Sequence, residues 1–369
     1  MHGFFLFTCR LPESKRRRTL VIFCTMFDPT PNVFEDVLRD YCDENPPPDN
    51  ILVLGPVSEA DAMRAAIESD EFLSRLPSVT RHLNTPPIKL LLFDSSGKTD
   101  DEVAMNGIRR MGMTQIFEKR GGMMESSTSH HFQKPSGGHC DRFLRAGNVI
   151  VDGAETDFIA FCLLNAMPEK ISHIYCDTGT INAVAYATIA LRSRLRGEHE
   201  KISVDSFGSY DGLKTFRFRN LQEAFVLISA STSGGLTIDL KAVVPAIEDA
   251  RIATLYYLGA MNGHGSVLCD LAHHTIENPV GFRAIQTEAS RSCQLCSSGS
   301  NPIPIFGDYF LPEGPAVDAV VLRTSHAPTW LSPFLERMRD SGTIRANYKA
   351  GTASAAAKDI FLDLSLIHI

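Results

Sequence analysis

A run of hydroxyl side chains and glycines follows the apolar segment Phe225–Ile228 and precedes a helical pattern. The run reads Ser229-Ala-Ser-Thr-Ser-Gly-Gly-Leu-Thr237. A turn between a strand and a helix gathers unpaired backbone N–H groups at the positive end of the helix dipole, and glycines let an anion approach the backbone. The pattern favours a phosphate-binding turn, with an ordinary capped βα turn as the alternative. The predicted phosphate contacts are Ser231, Thr232, Ser233, Gly234 and Gly235.

A second candidate turn, Gly97-Lys98-Thr99, also lies between an apolar strand pattern and a helix pattern. A phosphate-cradling P-loop needs a glycine five positions before the Gly-Lys pair, and that position is Leu92 inside the strand. The loop therefore cannot wrap a phosphate. We predict instead a helix N-terminus capped by Ser or Thr, with Asp100 and Asp101 complementing the helix dipole.

Cys293 and Cys296 form a single Cys-x-x-Cys pair. A structural zinc ion takes four ligands, and the next candidates upstream are Cys269, His273 and His274. We predict Cys293 and Cys296 as zinc ligands, completed by these residues or by a segment beyond this chain; two ordinary loop thiols are the alternative.

Three histidines surround a Ser-Gly pair, Ser136-Gly137, earlier in the chain. His130, His131 and His139 either line a ligand pocket or are solvated loop residues, and the sequence leaves both interpretations open.

Two series of strands and helices must position these residues. The first begins with the β-rich run TLVIFCTMF and finishes with the β-rich run TQIFEKR near Arg120; the second includes ISHIYCD, NAVAYATIALRSRL, AFVLIS and RIATLYYLG. Continuous apolar strands that alternate with helices indicate a mostly parallel sheet covered on both faces. The predicted fold class is α/β, with a loop-rich C-terminal region after Gly259.

The segment FQKPSGGHCDRFLRAG, residues 132–147, resembles the N-terminal motif of orotate phosphoribosyltransferases. The matching positions are Phe132, Ser136, Gly137, Phe143, Ala146 and Gly147. Downstream, IYCDTGTINAVAYATIAL resembles the family's strand, pyrophosphate-binding loop and helix. The loop residues are Asp177, Thr178, Gly179 and Thr180. FVLISASTSGG then falls where the family has its signature strand, two acids and Thr-Thr-Gly-Gly.

This resemblance implies a type I phosphoribosyltransferase fold for the central part of the chain. It implies that Thr232–Gly235 hold the 5'-phosphate of phosphoribosyl pyrophosphate or a nucleotide, and that Ser136 and Gly137 belong to the same substrate site. It also implies Mg²⁺-dependent transfer of a phosphoribosyl group to or from a nitrogenous base. Family members commonly pair, so a homodimer is an expectation by analogy.

Departures from the family pattern leave catalysis open. The family's two acids fall on Ile228 and Ser229, and the loop that is lysine-rich in the family offers only Lys214. Removing one group that stabilises the charge developing in the transition state costs on the order of 3 kcal/mol. The absence of the acids and lysines would therefore greatly slow the usual reaction. A degenerate nucleotide sensor is therefore the alternative to an enzyme. Lys134 is displaced by one from a family lysine position.

Composition restricts the partners. The chain has 369 residues, 44% apolar and 21% charged, with a net charge of −7. This charge argues against a nucleic-acid or acidic-membrane partner. No apolar run is long enough to span a bilayer, and nine scattered cysteines fit reduced thiols, so we predict a cytoplasmic protein.

We predict three regions: residues 1–120, an α/β domain of unknown role; residues 121–265, the phosphoribosyltransferase-like domain; and residues 266–363, a loop-rich extension. LSLIHI at 364–369 resembles a translated sequencing adapter. We exclude it and expect the natural protein to continue past Asp363.

Overall fold

A computed structural model gives the structure of the chain. The residues it describes are 3–10, 18–25, 29–75, 88–127, 129–260, 263–272, 281–306, 309–310, 329–340, 344–347 and 359–362.

The described helices are α1 Pro31–Glu44, α2 Ala60–Glu68, α3 Asp70–Arg75, α4 Glu102–Lys119, α5 Gly153–Leu164, α6 Asn182–Arg196, α7 Ser209–Leu213, α8 Gly235–Val243, α9 Gln294–Ser297 and α10 Leu331–Asp340. The described strands are β1 Phe4–Cys9, β2 Thr19–Cys24, β3 Asn50–Pro56, β4 Ile88–Phe93, β5 Met123–Glu125, β6 His130–Gln133, β7 His139–Cys140, β8 Arg142–Leu144, β9 His173–Cys176, β10 Ser203–Ser206, β11 Ala224–Ser231, β12 Ile252–Tyr257, β13 Ser266–Asp270, β14 Asn301–Phe306, β15 Tyr309–Phe310, β16 Ile344–Asn347 and β17 Asp359–Leu362.

The N-terminal sheet has the order β1-β2-β3-β4. Strand β1 is antiparallel to β2, whereas β2, β3 and β4 are parallel. One face packs against α1, α2 and α3 through a cluster that includes Leu20, Phe34 and Met63. All six residues of β2 are buried, as expected for a strand with helices on both faces.

The central sheet has the order β10-β9-β11-β12-β13, and every pair in it is parallel. Strand β12 is buried along its whole length. The predicted α/β class with a mostly parallel sheet is confirmed. In parallel sheets with crossover helices, binding residues gather outside the carboxyl ends of the strands, and the predicted phosphate-binding turn follows β11 at that edge.

Helix α5 connects the cores of the two sheets. It is buried on nearly all sides, and its Phe158 contacts Phe5, Phe7 and Phe23 of the N-terminal sheet. The same apolar cluster continues to Leu227 of the central sheet. A helix that is apolar all round lies in the interior, so one core joins the two sheets.

A small sheet of order β15-β14-β6-β7 places β14 and β15 beside the segment that carries Ser136. Strands β6 and β7 form a hairpin, and β14 pairs in parallel with β6. Strand β5 pairs with β8.

Residues 1–310 form one compact unit and residues 311–369 a second. The described part of the second unit consists of α10 and the antiparallel pair β16–β17. The predicted division at residues 120 and 265 stays a prediction. The predicted adapter sequence, 364–369, lies outside the described residues. No described helix is both long and apolar enough to cross a bilayer.

One predicted element is wrong. TQIFEKR was expected to be a separate β-rich run, but residues 114–119 continue α4 without a break. Ile116 and Phe117 extend the buried face of that helix, so packing against the core overrides their strand propensity.

Candidate functional site

A cavity of about 710 Å³ opens at the carboxyl edge of the central sheet. Its walls come from the β6–β7 hairpin, the ends of β9 and β11, and helices α7 and α8. The predicted site residues that line it are Ser136, Asp177, Ser231, Thr232, Ser233 and Gly235. Residues distant in the chain are therefore brought to one space.

The turn from β11 to α8 presents backbone N–H groups at this cavity. Gly234 adopts φ +72°, a left-handed conformation that favours glycine, and α8 begins at the next residue. The Gly234 N–H donates to Ser231 Oγ at 2.9 Å, and the Gly235 N–H donates to Ser233 Oγ at 3.4 Å. Neutral hydroxyl oxygens thus occupy acceptor positions that an anion oxygen can take.

Tyr210 on α7 reaches the same helix end. Its hydroxyl accepts the N–H of Leu236. A Cβ built on Gly235 would lie 2.9 Å from that hydroxyl, so a larger residue at this position would displace the hydroxyl from the helix end. Burial, and secondarily the charge of Asp239, raises the pKa of Tyr210, which keeps the phenol neutral.

Asp177 is the buried carboxylate of the cavity, 3% exposed at the end of β9. Its Oδ1 accepts the N–H of Ser229 at 2.9 Å, and its Oδ2 accepts the Ser229 hydroxyl at 2.7 Å. Ser229 and Ile228 fall where the motif resemblance would place an acid pair, and Ile228 is fully buried in the apolar core. A carboxylate from the neighbouring strand therefore lies where β11 itself supplies none.

Lys134 is a cation beside the β11–α8 turn. Its Nζ donates to Thr287 Oγ1 at 2.8 Å and lies 3.4 Å from Thr232 Oγ1. The motif resemblance would place a lysine at Pro135, and the side chain of the neighbouring Lys134 reaches the turn. Lys214 also lines the cavity.

The remaining predicted substrate residues do not line the cavity. Gly137 forms the tip of the β6–β7 hairpin with φ +80°. Gly179 and Thr180 are exposed at the start of α6, whereas Thr178 is buried. Among the described residues, the Thr178 hydroxyl has no hydrogen-bond partner. The predicted pyrophosphate loop thus contributes only Asp177 to the wall.

Three carboxylates line the cavity and are the candidate ligands for the Mg²⁺ that the resemblance implies. They are Asp177, Asp211 and Asp239. Mg²⁺ usually binds through one or two carboxylates together with substrate phosphates, so this donor set fits an ion that arrives with a pyrophosphate. Asp205, the acid of β10, is exposed and does not line the cavity.

The predicted metal residues Cys293 and Cys296 lie next to His131 and His139, away from the cavity wall. The expectation that Cys269 completes this set is wrong, because Cys269 is buried beside Thr114 of α4. Burial also raises the pKa of the Cys269 thiol to about 12. His273 and His274 lie outside the described residues.

Comparisons with known proteins give structural similarity only. No protein-family model matches the sequence, and neither does any curated protein.

Orotate phosphoribosyltransferase from Mycobacterium tuberculosis H37Rv, in complex with inorganic phosphate, aligns at 14% identity over 44% of this chain and 97% of that chain, with a TM-score of 0.29. Orotate phosphoribosyltransferase from Aeropyrum pernix aligns at 12% identity over 42% of this chain and 92% of that chain, with a TM-score of 0.26. UMP synthase from Leishmania donovani aligns at 8% identity over 67% of this chain and 54% of that chain, with a TM-score of 0.28. At these identities and TM-scores the alignments carry no argument about ligand or activity.

Sequence reasoning missed Tyr210 as a neighbour of the β11–α8 turn. Tyr210 lies in a five-residue helix between β10 and β11, and nothing in its local pattern indicates contact with α8. Asp239, one turn into α8, was missed in the same way, although its helical spacing from Gly235 could have placed it on the cavity side.

Proposed function

We propose that this protein binds a phosphorylated ribose, as phosphoribosyl pyrophosphate or a nucleotide, with its 5'-phosphate at Thr232–Gly235. The observation that carries the proposal is the opening of the β11–α8 turn into a cavity shared with Asp177 and Ser136. The arrangement supports a type I phosphoribosyltransferase-like domain in the chain. The proposal also agrees with the motif order along the sequence.

The polarity of the wall supports an anion at one end of the cavity. Lys134, the N-terminus of α8 and the hydroxyls of Ser231 to Ser233 lie at that end. A helix N-terminus and an ammonium group each stabilise a phosphate. The buried carboxylate of Asp177 accepts hydrogen bonds and suits a ribose hydroxyl as donor.

The loss of the acid pair favours a second candidate, a binding protein that senses such a ligand without turning it over. Ile228 points into the apolar core, and Ser229 is engaged by Asp177. If transfer occurs, Asp177 is the residue of this chain placed to hold the ribose. Mg²⁺ would supply charge neutralisation of the pyrophosphate, near Asp177 and Asp211.

Calorimetric titration tests binding. The protein is titrated with phosphoribosyl pyrophosphate, ribose 5-phosphate, uridine 5'-monophosphate and unphosphorylated ribose, each with and without Mg²⁺. We expect the phosphorylated ligands to bind and ribose to fail, because the phosphate supplies the contacts at the turn. Equal binding of ribose, or no binding of any ligand, contradicts the proposal.

Pyrophosphate release separates the two candidates. Phosphoribosyl pyrophosphate and Mg²⁺ are incubated with the protein and, in turn, orotate, adenine, guanine, hypoxanthine or uracil. Release that depends on a base and disappears in Asp177→Asn supports transfer. Binding of phosphoribosyl pyrophosphate without release supports a sensor.

A further inference from the structure

Four potential metal ligands from three segments of the chain meet at one point. They are His131 on β6, His139 on β7, and Cys293 and Cys296 at the two ends of a Cys-x-x-Cys turn. Their ligand atoms lie within 4.8 Å of one another, and all but Cys296 are buried. The N–H of Gln294 in this turn donates to Glu288 Oε2 at 2.7 Å, which fixes the start of α9.

Four of the six distances between these atoms are close to the edges of a tetrahedral zinc site, and all six are within 4.8 Å. With Zn–N near 2.0 Å and Zn–S near 2.3 Å, a tetrahedron has edges of about 3.3 Å between two nitrogens and about 3.5 Å between nitrogen and sulfur. His131 Nε2 lies 3.0 Å from His139 Nδ1, 3.5 Å from Cys296 Sγ and 3.7 Å from Cys293 Sγ. His139 Nδ1 lies 3.3 Å from Cys296 Sγ.

Hydrogen bonding alone does not account for this convergence. His131 Nε2 faces three acceptor or weak donor atoms at once, and one N–H can serve only one of them well. The other ring nitrogen, Nδ1, is 3.0 Å from Ser300 Oγ. Such a contact at the far nitrogen is typical of a metal-bound histidine, whose ring it orients.

The geometry points to a structural Zn²⁺ site formed by His131, His139, Cys293 and Cys296. Two thiolates and two imidazoles are soft and borderline ligands that favour zinc over Mg²⁺ or Ca²⁺. Four protein ligands leave no open coordination position, so the site serves structure rather than hydrolysis.

The site would also fix one wall of the cavity. His131 and His139 lie on opposite strands of the hairpin whose tip carries Lys134 and Ser136. The zinc ion would anchor this hairpin to the segment around Glu288, which already exchanges backbone hydrogen bonds of 2.8 Å with His139. This consequence for ligand binding rests on the proposed function, whereas zinc binding itself does not.

Metal analysis of the purified chain tests the site directly. Elemental analysis of protein purified without added metal is expected to give one zinc ion per chain. Replacement by Co²⁺ is expected to give thiolate-to-cobalt charge transfer and the intense d–d bands of tetrahedral coordination. A folded chain without stoichiometric zinc and without these cobalt bands overturns the proposal.

Substitutions identify the ligands. Cys296→Ser is expected to lose zinc, and Cys296→His, which keeps a ligand at a half-buried position, is expected to retain it. Cys140→Ser, a buried thiol in the same hairpin, and Cys42→Ser in α1 are controls that should keep the metal. Zinc retained in full by Cys296→Ser, with unchanged cobalt bands, contradicts the ligand set.

Reversible removal of the metal avoids dependence on variants that fail to fold. Chelation of zinc from the wild-type chain is expected to lower Tm, and Zn²⁺ but not Mg²⁺ should restore it. Binding of inorganic phosphate should weaken in the zinc-free chain and recover with Tm. Loss of zinc with unchanged Tm overturns the structural role, and unchanged phosphate binding overturns the coupling to the cavity.

Discussion

The β4–α4 turn and the β11–α8 turn each join a parallel strand to a helix through glycine, and their backbone N–H groups donate to different kinds of acceptor. In the turn from β4 to α4, the carboxylate of Asp94 accepts the N–H groups of Ser96 and Lys98 at 2.8 and 3.0 Å. In the turn from β11 to α8, the nearby acceptors are the hydroxyls of Ser231, Ser233 and Tyr210.

The difference lies in charge and access. Asp94 brings a negative charge to its turn, where Gly97 packs against Leu164 of α5 while Asp94, Ser96 and Lys98 stay exposed. Hydroxyls carry no charge and can rotate to serve as donors or acceptors, and the second turn opens into the cavity. Two turns of similar sequence pattern therefore differ in the charge of the groups that accept their N–H hydrogen bonds and in their access to a cavity.

The largest expected effect comes from making the second turn resemble the first. Ser233→Asp places a carboxylate among the N–H groups of the turn and should repel a phosphate. We expect affinity for phosphoribosyl pyrophosphate to fall about 30-fold or more, equivalent to ~2 kcal/mol. Calorimetry measures it. Ser96→Asp, the same change in the other turn, is the control, and equal losses in both variants would contradict the distinction.

Removing the cation beside the second turn should have a smaller effect. Lys134→Gln is expected to weaken phosphate binding about tenfold, because a charged hydrogen bond contributes ~1.5 kcal/mol. Titrations at two salt concentrations should show a reduced salt dependence. Lys201→Gln, an exposed lysine elsewhere, is the control. Unchanged affinity in Lys134→Gln would place the phosphate away from this turn.

Asp94→Ala should affect stability and leave ligand affinity alone. We expect a loss of about 1 kcal/mol in the free energy of unfolding, measured by urea denaturation, with the exposed Asp100→Ala as control. Burial opposes ionisation of Asp94, but hydrogen bonds from Ser96 and Lys98 hold its pKa below the usual range. A group whose pKa is lowered by folding contributes stability that is fully present above its unfolded-state pKa of about 3.9. This contribution is lost as the pH falls through the folded-state pKa.

The free energies of unfolding of Asp94→Ala and of the wild type should therefore converge at acidic pH. A difference that persists unchanged after Asp94 is protonated would mean that the carboxylate charge does not account for the lost stability.

The smallest expected effect is at Tyr210. Tyr210→Phe removes the hydroxyl that accepts the Leu236 N–H and leaves that donor for the ligand. Phosphate affinity should rise two- to threefold, equivalent to about 0.5 kcal/mol. Because the pKa of Tyr210 is raised, its ionisation should add no step to the binding profile below about pH 10. Weaker binding in Tyr210→Phe would instead show that the hydroxyl contacts the ligand.

Local pattern was sufficient to predict the β11–α8 turn, because the apolar strand, the hydroxyl and glycine residues and the helix are contiguous in sequence. It was also sufficient to exclude a P-loop at Gly97, where Leu92 occupies the required glycine position. The parallel central sheet followed from the alternation of apolar strands and helices.

Long-range contacts could not be predicted in the same way. His131 and His139 are distant in sequence from Cys293, and their convergence depends on the parallel pairing of β6 with β14. The contact between Lys134 and the β11–α8 turn depends on the length of the β6–β7 hairpin, which the motif resemblance does not specify. The strand-like composition of TQIFEKR was misleading because burial decided its conformation.

The position of α5 has a practical consequence for anyone who divides this protein. A fragment that begins near residue 121 would expose Phe158 and Phe161 to water, and a fragment that stops near residue 120 would expose the phenylalanines that cover them. Such pieces should aggregate on expression, and the intact region should melt in a single transition rather than in two.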